Sequence, residues 1–164
     1  MNEAVLFDFN EKTNPRDWRI IDDGVMGGIS NGKFTIDKEG NGVFFGYVST
    51  ENNGGFSSVR YQMNTKNVSN YTKATIRLKG DGKAYQFRIK DNANSYFSYI
   101  TTFKTSGEWE TVTITLKDLY PSFRGQKLNK PNFDGQYLEE IVFLIGNKKN
   151  ESFELKLDKI ELVK

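Results

Sequence analysis

Residues 74–90 read ATIRLKGDGKAYQFRIK. Ile76 and Leu78 alternate with Arg77 and Lys79, and after Gly80-Asp81-Gly82 the residues Tyr85, Phe87 and Ile89 alternate with Gln86, Arg88 and Lys90. An apolar–polar period of two marks a strand with one buried face. Asp and Gly accept the positive φ of tight turns, so the two runs predict a hairpin across Gly80-Asp81-Gly82.

The same alternation extends outward in both directions. It runs through Val5, Phe7 and Phe9, through Ser57, Val59, Tyr61 and Met63, through Val112, Ile114 and Leu116, and through Phe153, Leu155 and Leu157. Val43–Val48 is a short apolar run. Turn pairs punctuate these stretches at Asp23-Gly24, Asn31-Gly32, Asn41-Gly42, Asn53-Gly54 and Asp134-Gly135. No long helical period appears. Residues 117–120 read as one short turn before Pro121, and residues 137–140 as a turn leading into a strand over residues 141–145. About ten short strands with regular turn signals predict an all-β chain, a jelly-roll β-sandwich, with residues 1–164 as one domain. Residues 121–137 form the longest aperiodic stretch, a length at which loops are often functional.

Composition agrees. Aromatics make up 14% of the chain, with 13 Phe and 8 Tyr, and such residues suit pleated, half-buried surfaces. Net charge is +2, with both signs interspersed, so nothing calls for nucleic acid or an anionic membrane as partner. There is no Cys and no His, which removes disulfides, thiolate nucleophiles, the Ser-His-Asp triad and the commonest zinc ligands. The N-terminal residues lack a signal-peptide pattern, and no run approaches the ~18 apolar residues of a membrane span. The expectation is a cytoplasmic protein with no membrane span; a leader removed before this start would leave the same sequence.

Residues 22–34, DDGVMGGISNGKF, place Gly27, Gly32 and Lys33 on phosphate-loop spacing. The chemistry fails, because Phe34 stands where a Ser or Thr would hold magnesium, and residues 34–36 read as a strand rather than a helix. Asp22 and Asp23 could form an acid/base pair or a metal clamp. The stronger reading is a turn in which Asp23 accepts backbone N–H bonds beside Gly24. Met26 among glycines is either an exposed adaptable contact or a plug for the sandwich end. Arg60 shares a strand face with Ser58 and Gln62, and Arg88 shares one with Gln86. Such faces are either solvated or a recognition surface, for which arginine supplies a planar fork. Trp18, Trp109, Tyr96 and Tyr99 are core or stacking residues, with core favoured for Trp109.

Taken in order, several blocks resemble a known family: Trp18, residues 23–30 (DGVMGGIS), residues 44–49 (FFGYVS), residues 53–60 (NGGFSSVR), residues 79–85 (KGDGKAY) with Arg88, then Trp109 and residues 123–125 (FRG). The chain is similar, over nearly its whole length, to the complex I intermediate-associated protein family, the thirty-kilodalton assembly factor of NADH:ubiquinone oxidoreductase. The resemblance implies a galactose-binding-like jelly roll and a non-enzymatic role, that of a chaperone-like protein whose clients are subunits of a membrane complex. Eukaryotic members carry a mitochondrial leader, so the lack of one suggests a bacterial-type domain. On this basis Asp23, Met26, Ser30, Ser58, Arg60, Gln62, Tyr85, Arg88 and Arg124 are the candidate partner- or ligand-binding residues, with Asp23, Met26 and Ser30 bordering a surface with Arg60. A carbohydrate-binding module is the alternative. An enzyme built on Asp22, Asp23, Glu108 or Glu110 ranks last. No catalytic residue or cofactor is expected, although a structural calcium near the termini could draw on Asp8 and Asp158.

Overall fold

A computed structural model describes residues 3–164, apart from the side chains of Glu3, Val25, Met26 and Asn53. The strands are β1 (Glu3–Asp8), β2 (Arg19–Asp22), β3 (Asn31–Ile36), β4 (Gly42–Val48), β5 (Ser57–Asn67), β6 (Lys73–Lys79), β7 (Ala84–Lys90), β8 (Ser98–Lys104), β9 (Trp109–Thr115), β10 (Tyr120–Phe123), β11 (Gln126–Lys127), β12 (Tyr137–Ile145) and β13 (Glu151–Val163). Among the described residues the only helical pieces are four 3₁₀ turns, Pro15–Asp17, Asp23–Met26, Glu51–Asn53 and Leu116–Asp118. No described helix is long and apolar enough to cross a membrane.

The strands form two antiparallel sheets. One is ordered β3-β4-β13-β6-β9, with β1 also on β13, and the other β11-β10-β8-β7-β12-β5-β2. β13 is long enough to serve two partners on one side, β4 along residues 151–157 and β1 along residues 159–163, while β6 takes the other side. The alternation places Ile76, Leu78, Phe153, Leu155 and Leu157 against Tyr85, Phe87, Ile89, Val59 and Phe143 in one shared core. Burial of these side chains, each worth roughly 1.5–3 kcal/mol, is the main stabilising term. This is a jelly-roll β-sandwich.

Trp18 closes one end of the sandwich. Its ring lies within 5.3 Å of Phe7 and Phe9 and stacks on Tyr61 at 5.2 Å. The 3₁₀ turn before it begins at Pro15, whose missing N–H costs nothing at that position, and Asn14 Oδ1 accepts the Arg16 amide at 3.0 Å.

Four local expectations are corrected. Gly80-Asp81-Gly82 is not a hairpin, because β6 and β7 lie in different sheets. The segment is a crossover tied at Asp81, which accepts the Tyr85 hydroxyl at 3.0 Å and the Glu154 amide of β13 at 2.8 Å. Asn31-Gly32 starts β3 rather than turning. Residues 137–140 are already strand, and a bulge between Leu138 and Glu140 supplies the irregularity that reads as a turn. Residues 121–137 hold most of β10 and the two-residue edge strand β11 before their loop. The short turn before Pro121 and the strand after Lys33 are as expected.

Candidate binding face on the seven-stranded sheet

β12 is central in its sheet, with β5 on one side and β7 on the other. Ile141, Phe143 and Ile145 point into the shared core. Period-two geometry sends Glu140, Val142 and Leu144 to the opposite, outer face. Register then lines up a row across six strands: Arg19, Arg60, Val142, Arg88, Ile100 and Tyr120. On one side of it runs Gln62–Glu140–Lys90, and on the other Ile21–Ser58–Leu144–Gln86–Thr102.

Among the described residues no second sheet packs on this face, yet its floor is dry. Val142, Leu144 and Ile100 are only 1%, 5% and 4% exposed, although none belongs to the sandwich core. They form a separate apolar strip sunk between longer polar side chains. Glu140 is 2% exposed. It accepts Gln62 Nε2 at 3.1 Å and lies 3.8 Å from Arg60 Nη1. Arg60 Nε and Glu140 Oε2 are buried without a hydrogen-bond partner. Arg88 is half-buried and donates from Nε to Gln86 Oε1 at 2.8 Å. Burial, and secondarily the charge of Arg60, pushes its guanidinium down to about 10, so it remains a cation at neutral pH.

The structure therefore brings Arg60, Gln62 and Arg88 onto one face, whereas Ser58, on the same side, is fully buried with its hydroxyl donating to the Ile21 carbonyl at 2.6 Å and has no free surface. The other candidates go elsewhere. Tyr85 is a core residue stacked 6.2 Å from Phe103, and burial and Asp81 push its hydroxyl well above the usual tyrosine range. Arg124 is exposed in the β10–β11 turn at φ +49°, its guanidinium 5.1 Å from the Phe123 ring centre. The Met26 side chain lies outside the described residues. Trp109 is not core. It lies beneath the Arg77 guanidinium at 5.5 Å, on the rim of a shallow depression of about 210 Å³ shared with Glu39, Asn41 and Asp158. Asp8 is exposed, and among the described residues no three acidic side chains converge on a possible metal position.

Asp23 and Ser30 do not border a surface. Asp23 is fully buried. Its carboxylate accepts the Ser30 hydroxyl at 2.5 Å and amide at 3.0 Å, then the Gly55 amide at 2.6 Å and the Phe56 amide at 3.2 Å. Burial works to raise this carboxyl, but the Ser30 hydroxyl and the three amides outweigh it and hold it below the usual aspartate value. A Cβ on Gly28 would stand 2.4 Å from Asp23 Cγ, and one on Gly54 would stand 2.5 Å from Oδ2. The two glycine-rich blocks are thus two walls around one carboxylate. Asp22 is occupied as well, accepting the Gly32 amide at 2.9 Å and the Ser57 hydroxyl at 2.5 Å.

Sequence reading missed Glu140, Val142, Leu144 and Ile100. One signal was available. IVFLI at residues 141–145 is an unbroken apolar run in a chain of alternating strands, the mark of a strand buried on both faces.

The family model for complex I intermediate-associated protein 30 matches residues 7–157. The chain belongs to that family. An uncharacterised protein of Schizosaccharomyces pombe is 27% identical, over 97% of this chain and 83% of its own. That relative is eukaryotic and lends no support to a bacterial-type origin. Among solved structures, a family 11 carbohydrate-binding module of Clostridium thermocellum, in complex with a β-1,3-1,4-mixed-linked tetrasaccharide, superposes with a TM-score of 0.74 at 19% identity, covering 99% of this chain and 95% of the module. An agarase has a TM-score of 0.69 at 14% identity, covering 99% of this chain and 24% of the agarase. At these identities the likeness is one of fold, a jelly-roll β-sandwich.

Proposed function

We propose that this member of the complex I intermediate-associated family is a non-catalytic protein-binding module, and that it holds its client on the outer face of the seven-stranded sheet. The observation that carries this is the apolar strip of Val142, Leu144 and Ile100, which lies outside the core and is rimmed by Arg60, Arg88, Gln62 and Gln86. An apolar floor ringed by arginine and amide side chains is the composition of a protein-interface centre. The family points to subunits of a membrane complex as clients, and to an assembly role rather than turnover. Consistent with that, the paired carboxylates Asp22 and Asp23 are consumed in holding loops, and Glu110 accepts the Ser106 amide at 2.8 Å. We propose a cytoplasmic location for the module.

A glycan-binding reading has one support, the likeness to a module solved with a tetrasaccharide. Capture from detergent-solubilised membranes, run beside retardation on a mixed-linkage glucan gel, separates the two. We expect a respiratory-complex subunit to be captured by the native protein and lost with Arg60→Ala and Val142→Glu. Retardation on the glucan without such a subunit would overturn the protein-binding reading.

A further inference from the structure

The outer face of the seven-stranded sheet has an unbalanced charge. Among the described residues, its register positions hold Arg19, Arg60, Arg88 and Lys90, against Glu140 as the one acid. The whole chain is only +2, so the imbalance is local. The other sheet's outer positions mix both signs, with Arg77 opposite Lys159, Thr75 opposite Glu161 and Glu154 close to Lys156.

The pairing within this face is incomplete. Arg60 and Arg88 flank Val142 in one row, two strand spacings apart, or roughly 10 Å between backbones. Both side chains are long enough to close on a single group above Val142. Arg88 is half-buried and, among the described residues, meets no carboxylate, its Nε being held by the neutral amide of Gln86. Arg60 has Glu140 only at 3.8 Å, with Arg60 Nε and Glu140 Oε2 both left without a hydrogen bond. Burying a cation without a counter-charge is unfavourable, and two arginines here share one acid. A second carboxylate would balance the row, and the guanidinium fork matches carboxylate geometry in two parallel bonds.

We infer that the Arg60–Val142–Arg88 row is a cradle for a carboxylate side chain, presented by an acidic segment of the client that lies across the polar rim of the strip. This rests on the protein-binding reading above. A polypeptide is favoured over an acidic polysaccharide because Tyr120 is the one aromatic of the six-strand row, at the sheet edge with Lys127 Nζ 5.5 Å from its ring centre. Sugar rings pack on open aromatic faces, and guanidinium groups and aliphatic side chains fill those places here.

The test is a titration of ¹⁵N-labelled protein, followed amide by amide. The probes are an acetylated, amidated hexapeptide of alternating valine and glutamate, its valine–glutamine twin, and polygalacturonate. We expect the glutamate peptide to shift amides of β5, β7 and β12 with at least ~10-fold higher affinity than its twin, about one charge-assisted bidentate pair. Arg88→Gln should remove that preference, Arg88→Lys should keep only part of it, and Arg77→Gln on the other sheet should leave it unchanged. Spectral dispersion reports whether each variant is folded. Equal shifts from the twin would overturn the carboxylate cradle while leaving a protein-binding face in place. Absence of shifts on this face with either peptide would overturn the cradle. Shifts from polygalacturonate alone would overturn the cradle and the protein-binding reading together.

Discussion

Asp23 shows how a motif can be specific without being a binding site. Its carboxylate joins the loop of residues 23–30 to that of residues 54–56, segments brought together only by the fold. Asp23→Ala leaves three amides without their acceptor, the Ser30 hydroxyl keeping the Ser49 carbonyl at 3.2 Å, and should cost about 3 kcal/mol in urea unfolding at pH 7. The folded-state pKa of Asp23 is lowered, so its contribution is present above the unfolded value near 3.8 and is lost as pH falls through the folded value. Stability measured from pH 6 downward should therefore fall more steeply below about pH 4 in the native protein than in Asp23→Ala. Gly28→Ala should destabilise by about 2 kcal/mol or more through contact with this carboxylate, and by distinctly less when Asp23 is already Ala, a coupling that a double-mutant cycle reads directly. Additive effects would show that Gly28 is not there for Asp23.

At the scale of elements, the instructive strand is β12. Its burial on both faces supplies the core with Phe143 and the floor of the outer face with Val142. These neighbours should respond differently to change. Phe143→Ala opens a core cavity and should cost about 3–5 kcal/mol. Val142→Thr keeps the shape but buries a hydroxyl at a position only 1% exposed, and should cost about 1–3 kcal/mol while leaving the core packed. Trp18 belongs with the first kind. It fills the sandwich end between β1, β3 and β5, so Trp18→Ala should cost about 3–5 kcal/mol by denaturant unfolding.

The whole molecule is built from pairings distant along the chain. β13 carries β1, β4 and β6, and β12 joins β5 to β7. Such a topology closes large loops before it gains contacts, so stopped-flow refolding should run in milliseconds to seconds or slower. Deleting residues 159–164 removes the register partners of β1 and most of those of β6, and should abolish cooperative unfolding rather than fray one end.

The sequence alone determined most of the strands, because a period of two survives in any environment that buries one face, whereas β2, β8, β10 and β11 carry no clear period of their own. It determined the class of fold, and through the DGVMGGIS and NGGFSSVR blocks it reached the family. It also determined that Arg60 and Arg88 each stand on polar strand faces, because alternation assigns parity within a strand. Only the tertiary structure decided which strands share a sheet. Gly80-Asp81-Gly82 has hairpin chemistry, yet it crosses between sheets because Asp81 binds Tyr85 and the Glu154 amide, and no local signal encodes Glu154. Only the tertiary structure placed Arg60 and Arg88 on either side of Val142 and turned Asp23 inward. Parity is a local property of the backbone, whereas register and sheet membership are set by contacts between residues far apart in the chain.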